Sequence, residues 1–467
     1  MTILYYKTQV QPISDQCSSL PARSLRLLVI WAAIFLSGLL QGVSYADYDY
    51  IDITNPFLRK MPLAVQPFKL SERLPQNEKA AVEAAGLISE TLEFTGYFEI
   101  INPEAFLVDV HNPPIIRPNI EFANWTGIGA ELLVTGGLHV RNGLVEVELR
   151  LFDTFKQQLL VGKKYRALPR DLRRVVRRFC SAILFNLTGS RGYFDSDIAF
   201  ISNGSGKKEV FICDFDGFNP RQFTKNRAIT LFPAWSSDRK WIAYTAFNAG
   251  KPNLYIKSVT RKRGYLLDKK GINTNPAWVP GRFELAATLS FSGDQEIYLL
   301  TGTGKIIKRL THRRGIDVSP TWSPDGKKMA FVSKRSGSPQ IYIMTVASGA
   351  VERLTFEGRY NTQPDWSPKG DRIAYTAMRG GQSDIFTIGL DSSDPVKMTE
   401  NSGDNEAPSW APDGSLIAFS STREGPSRIY VMTAYGTDQR RLLSMPGEQS
   451  SPAWSSNGIY TKVLSGS

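Results

Sequence analysis

Cysteine and histidine are scarce: three of each stand among 467 residues. Cys17 falls in an amino-terminal segment, which leaves Cys180 in a helical pattern and Cys213 in a strand pattern. Two isolated cysteines make neither a disulfide framework nor a thiolate metal site. His111, His139 and His312 have no metal-ligand spacing. No metal or cofactor is therefore expected.

Long apolar runs are missing too. The longest candidate, Leu27 to Leu40, has 14 residues, short of the roughly 20 that a membrane-spanning helix needs. Arg23 and Arg26 precede it, and Ser44-Tyr45-Ala46 ends it with small residues at both recognition positions of a cleavage site. This is the pattern of a secretory signal over residues 1–46, with the cut between Ala46 and Asp47. Mean hydropathy is −0.22, which excludes a polytopic membrane protein.

Acidic residues are in deficit, 44 against 56 basic. Residues 47–187 balance, with 17 of each sign, while residues 188–467 carry 36 basic against 26 acidic side chains. A basic surface favours acidic partners. Export turns that preference from nucleic acid toward an acidic protein or the cell wall.

A strict period is present. Tryptophans at 235, 278, 322, 366, 410 and 454 are spaced by 43 or 44 residues, each in a Pro-x-Trp context. Strand-like runs recur with the same step: Ile242-Ala243-Tyr244, Met329-Ala330-Phe331 and Ile373-Ala374-Tyr375 in one set, Leu254-Tyr255, Ile341-Tyr342 and Ile385-Phe386 in another. Four short strands per repeat of about 44 residues make one blade of a β-propeller. Turns such as Ser323-Pro-Asp-Gly326 suit a tight hairpin. Their Asp is not read as a metal ligand, because Lys369 and Gly281 stand at or near its place elsewhere. Each tryptophan buries roughly 150–250 Å², worth up to about 4–6 kcal/mol at about 25 cal/mol/Å², so core packing accounts for the period.

The array opens at Ile198 without a tryptophan strand and closes at Trp454 without outer strands. The two halves complement each other. The expected fold class is an α+β amino-terminal domain (47–187) followed by a six-bladed β-propeller (195–467) closed by its carboxy-terminal strand. In the first domain, residues 77–94 and a segment after Pro169 read as helices. The second has the apolar stripe Leu172, Val176, Phe179, Ile183 and Leu187, and Arg173, Arg174, Arg177 and Arg178 read as its solvated face. Strands flank the hairpin turn Asn142-Gly143.

Catalytic signatures are absent. Asn203-Gly-Ser-Gly-Lys207 joins two strands rather than opening a helix, so it is not a phosphate loop. No nucleophile elbow is present. The chain reads as a non-enzyme, with a secreted propeller hydrolase or lyase as the alternative, since propellers can host catalysis in their funnels.

Pro62-Leu-Ala-Val-Gln-Pro-Phe68, Gly129-Ala-Glu-Leu-Leu-Val-Thr-Gly136, Pro169-Arg-Asp-Leu-Arg-Arg174 and Leu187-Thr-Gly-Ser-Arg-Gly-Tyr-Phe194, with the Pro-x-Trp array behind them, resemble the TolB family of the Tol–Pal system of Gram-negative bacteria. The resemblance implies a periplasmic adaptor that supports outer-membrane integrity and constriction during division. It implies that the propeller binds a Pal-like peptidoglycan-associated lipoprotein, which would hold the chain peripheral to the outer membrane. It also implies that a TolA-like inner-membrane protein meets the amino-terminal region, and that no nucleic acid is bound. The mature amino terminus, Asp47, Tyr48, Asp49, Tyr50, Ile51, Asp52, Ile53 and Thr54, would be the switch between partners, and its alternation suits a strand that pairs with a partner's edge. The Pal-facing positions would be loops just before Pro-x-Trp: Asn273, Thr274 and Asn275; Asp317 and Val318; Tyr360, Asn361 and Thr362; Asp404, Asn405 and Glu406.

Overall fold

The computed structural model describes residues 59–457, except 73, 108–112, 249, 392 and 393. The expected signal and cleavage site at Ala46 and Asp47, and the expected switch Asp47–Thr54, lie outside the described residues.

The first region is α+β. Its sheet runs β3 (Phe98–Ile100), β1 (Met61–Val65), β4 (Leu132–Arg141), β5 (Leu144–Asp153) and β6 (Gln158–Ala167), with β2 (Lys69–Leu70) beside β4. The sheet is mixed. β1 pairs in parallel with β3 and β4, while β4, β5 and β6 form an antiparallel meander. Asn142 and Gly143 both take positive φ between β4 and β5, which a two-residue hairpin demands.

Helices α1 (Pro75–Glu93) and α3 (Leu172–Thr188) pack together, with Ala84, Ile88 and Leu92 meeting Val176, Phe179 and Ile183 in one buried cluster. α3 stops at Gly189, whose φ of 73° forms a left-handed cap. A short helix α2 (Phe122–Gly127), which no periodicity announced, buries Trp125.

Six four-stranded antiparallel sheets follow, so the second region is a six-bladed propeller. Blades are named here by their tryptophans. Five are continuous in sequence. The sixth combines Gln449–Trp454 with Asp197–Ser202, Glu209–Asp214 and Arg221–Gln222, so both ends of the array share one sheet.

The tryptophans stitch blades together. Trp278, Trp322 and Trp235 donate their ring N–H to the carbonyls of Ala234, Ala277 and Ala453, each at 3.1 Å, and Trp410 donates to the Asp365 carbonyl at 3.2 Å. Each acceptor belongs to the preceding blade, so one ring supplies both buried area and a cross-blade bond.

The two regions share a core. Phe94, Tyr193, Phe194, Phe215 and Trp454 form an aromatic cluster, with Tyr193 5.5 Å from Trp454 and Phe94 5.5 Å from Phe215. Arg173 and Arg177, read from the sequence as part of a solvated face, instead meet the propeller. Arg173 pairs with Asp216, and Arg177 reaches Asp214 at 2.5 Å and Asp216 at 3.6 Å. One turn of the Trp454 blade thus receives two guanidinium groups from α3.

Candidate functional site

The innermost strand of each blade begins at one mouth of the propeller and descends along its axis. These strands are Thr230–Trp235, Asn273–Trp278, Asp317–Trp322, Asn361–Trp366, Asn405–Trp410 and Gln449–Trp454. Each has a bulge in the middle, where register shifts. The third residue of each, Phe232, Asn275, Ser319, Gln363, Ala407 or Ser451, has φ between 50° and 53°. Proline follows it every time. The bulge leaves a position unpaired, and proline has no N–H to lose there. That is the backbone reason for Pro in Pro-x-Trp.

The bulges border an axial cavity of about 310 Å³ lined by Asn275, Ser319, Gln363, Asp365 and the ring of prolines. The variable residue of Pro-x-Trp divides the wall. Ala234, Ala277 and Ala453 are apolar; Thr321, Asp365 and Ser409 are polar. Each polar one accepts a main-chain N–H from the next tryptophan: Trp366 to Thr321 at 3.3 Å, Trp410 to Asp365 at 2.7 Å and Trp454 to Ser409 at 2.9 Å. Asp365 is half-buried at the wall of the cavity. Burial pushes its pKa up to about 7, against the opposing hydrogen bonds from Trp410, Thr321 and Trp366.

The expected partner positions are not loops. Asn273, Thr274, Asn275, Asp317, Val318, Asn361, Thr362, Asn405 and Glu406 belong to the inner strands, and only Tyr360 and Asp404 lie in the connections before them. The extended pairing of each inner strand begins five residues ahead of its tryptophan, and the bulge hides that alternation in the sequence.

The structure also separates these residues by role. Asn273, Asp317, Asn361 and Asn405 are at most 2% exposed. The three asparagines tie down the connection before their strand, and Asp317 is held within its own blade. Asn273 donates to the Lys269 carbonyl at 2.8 Å, Asn361 to the Glu357 carbonyl at 2.8 Å and Asn405 to the Gly403 carbonyl at 2.9 Å, while Asp317 accepts from Arg335 at 3.0 Å. Tyr360, Asp404 and Glu406 are exposed, and Thr274, Asn275, Val318 and Thr362 are half-buried around the funnel. Sequence reasoning missed Arg335, Arg379 and Arg423. They stand at or just past the ends of the second strands of three consecutive blades and lie over Tyr342, Phe386 and Tyr430 at 4.8, 4.5 and 4.4 Å. Their common offset from the tryptophans was the available signal.

The turn carboxylates are structural. Asp325 and Asp413 accept from Ser323 and Ser415 at 2.6 and 2.7 Å. Among the described residues no group of three or more His, Cys, Asp or Glu side chains could hold a metal ion.

Comparison with known proteins follows this geometry. A model of the TolB beta propeller domain matches residues 185–458, and one of the TolB amino-terminal domain matches residues 49–160. The Tol-Pal system protein TolB of Desulfosudis oleivorans is 55% identical over 272 residues, 58% of this chain and 62% of that one. A TolB homolog of Chlorobium chlorochromatii is 42% identical over 57% of this chain and 59% of its own length. The matched stretches thus span less than two thirds of these relatives. The crystal structure of TolB from Acinetobacter baumannii superposes with a TM-score of 0.75 at 27% identity, covering 85% of this chain and 97% of that one.

Proposed function

The chain belongs to the TolB family, and from that premise we propose that it is a periplasmic, non-enzymatic adaptor of a Tol–Pal system. Its propeller mouth binds a Pal-like lipoprotein, its amino-terminal segment engages a TolA-like protein, and the pair of contacts supports outer-membrane integrity and constriction at division. Among the described residues no helix is long and apolar enough to cross a membrane.

The observation that carries this reading is the division of labour at the mouth. Buried Asn273, Asp317, Asn361 and Asn405 hold the rim, while Tyr360, Asp404 and Glu406 present an aromatic ring and two carboxylates outward from it. A rigid rim with outward polar and aromatic groups suits recognition of a folded partner. The test is titration of the protein with the soluble domain of a Pal-like lipoprotein from the same genome, read by calorimetry. Saturable binding supports the assignment. No heat and no complex on gel filtration would count against it. A Tol–Pal switch further requires that removing residues 47–54 alters that affinity.

A further inference from the structure

The propeller's charge is concentrated on one side. Residues 225–270, most of which build the Trp235 blade, hold eleven basic and two acidic residues, whereas residues 359–402 hold five basic and six acidic. Six of those eleven, Arg239, Lys240, Lys257, Arg261, Lys262 and Arg263, lie toward the end of the blade opposite the mouth, beside an apolar surface, and the other five stand in the connections at the mouth. Trp241 lies 5.6 Å from Tyr265 and 5.5 Å from Phe283. Phe283 lies against Gly302, where any Cβ would meet the ring, so the phenyl group is held in place. Phe283 is 43% exposed, while Leu266, 52% exposed, projects from the other face of the same outer strand.

These residues break the repeat. Trp241 opens its strand at the place held by Asp197, Glu284, Lys328 and Arg372 in other blades. Tyr265 and Leu266 pair with Ile256 and Tyr255, and the matching residues elsewhere include Arg221 and Gln222, Lys308 and Arg309, and Glu352 and Arg353. One other blade has an apolar residue at the Trp241 position, Leu416, and there it is buried in the core shared with the α+β region. Leu416 is apolar because something covers it. Trp241 and its neighbours are apolar with no such cover among the described residues.

The rim indicates what the cover is. Arg261, Lys262 and Arg263 crown the adjoining turn and are exposed, and the exposed Lys240 and Arg282, which pair with Asp238 and Glu284, precede Trp241 and Phe283. Arg263 lies over the Tyr265 ring at 5.3 Å, and among the described residues Arg261, Lys262 and Arg263 have no carboxylate partner. A protein interface ordinarily mixes both signs and hydrogen-bonding groups. Trp, Tyr and Phe side chains beside cations of one sign match the boundary of a bilayer, where aromatic rings sit at headgroup level and basic side chains reach phosphates. We propose that the Trp241–Tyr265–Phe283 face, with its Arg261–Lys262–Arg263 turn, is a docking surface for anionic phospholipid bilayers. It lies at the opposite end from the mouth, so a partner there and a membrane here can be engaged together.

The experiment is flotation of the purified protein with vesicles of phosphatidylethanolamine and phosphatidylglycerol, against vesicles of phosphatidylcholine alone. Binding is expected only to the anionic vesicles and is expected to weaken with salt. Replacing Arg261, Lys262 and Arg263 together by Ser should lower partitioning by about a hundred-fold, and Trp241→Gln by about ten-fold. The triple variant changes only an exposed turn, and an unaltered melting curve verifies that it is folded. Equal flotation with both vesicle types, or anionic binding that the triple variant leaves intact, overturns the proposal. So does absence of flotation combined with retention on an immobilised acidic protein, which would assign the face to a protein partner.

Discussion

Trp454 donates its ring N–H to Ser196 Oγ at 2.7 Å, whereas Trp235, Trp278, Trp322 and Trp410 donate to a main-chain carbonyl of the blade before them. Ser196 sits in the linker from the α+β region and itself donates to the Tyr193 carbonyl at 2.5 Å. The ring closure and the junction between regions are therefore one hydrogen-bonded unit. Trp454→Ala should destabilise the protein by about 3–5 kcal/mol, more than Ser196→Ala, and denaturant unfolding measures both. Deleting residues 450–467 should lower the melting temperature sharply.

The pairs from α3 to the Trp454 blade give a second test. Arg177 and Asp214 are largely buried, with side chains 15% and 17% exposed. Arg177→Ala should cost about 2–3 kcal/mol by leaving the largely buried Asp214 without its cation, while Asp216 keeps Arg173. Adding Asp214→Ala should cost much less than its own single substitution, because the two share one network. A double-mutant cycle by thermal unfolding reads the coupling.

Asp365 makes stability depend on pH. Burial holds its folded pKa at about 7, above the ordinary 3.8, so the folded state keeps a proton that the unfolded chain has released. Between about pH 4 and 7 this group's contribution falls as pH rises, and above about pH 7 the loss is complete. Asp365→Asn keeps an acceptor for the Trp410 N–H and removes that slope. The variant should gain stability over the parent progressively from about pH 4 to pH 7, as urea midpoints measured across that range would show.

At the mouth, neighbouring residues should respond differently. Tyr360→Ala should weaken binding of a Pal-like domain by about ten-fold or more without moving the melting temperature. Asn361→Ala should lower stability by about 1–3 kcal/mol, because it removes bonds to Gln340 and Glu357. If Tyr360→Ala leaves affinity unchanged, the binding face lies elsewhere on the propeller.

The blades were legible because six tryptophans recur at a nearly constant step and each repeat carries its own strands and turns. The start of each inner strand was not, because a bulge with a positive-φ residue and a proline interrupts the two-residue alternation from which strands are read. Arg173 and Arg177 illustrate a different limit. Their positions off the apolar stripe of α3 were correct, but a helix wheel does not say that Asp214 and Asp216 of a distant turn will face that side. Trp241 was visible in the sequence and stood outside the period. Only the pairing register showed that four of the other five blades place charges where it stands.

The shared sheet at Gln449–Trp454 also sets an order of events as the chain emerges. The strands from Asp197 to Gln222 must wait, edge unpaired, until every intervening blade has been synthesised and delivered. During that interval Tyr193 lacks the Trp454 ring that later packs against it. A half-made chain is thus an open arc with two sticky ends, able to pair with other such arcs until the final strand arrives.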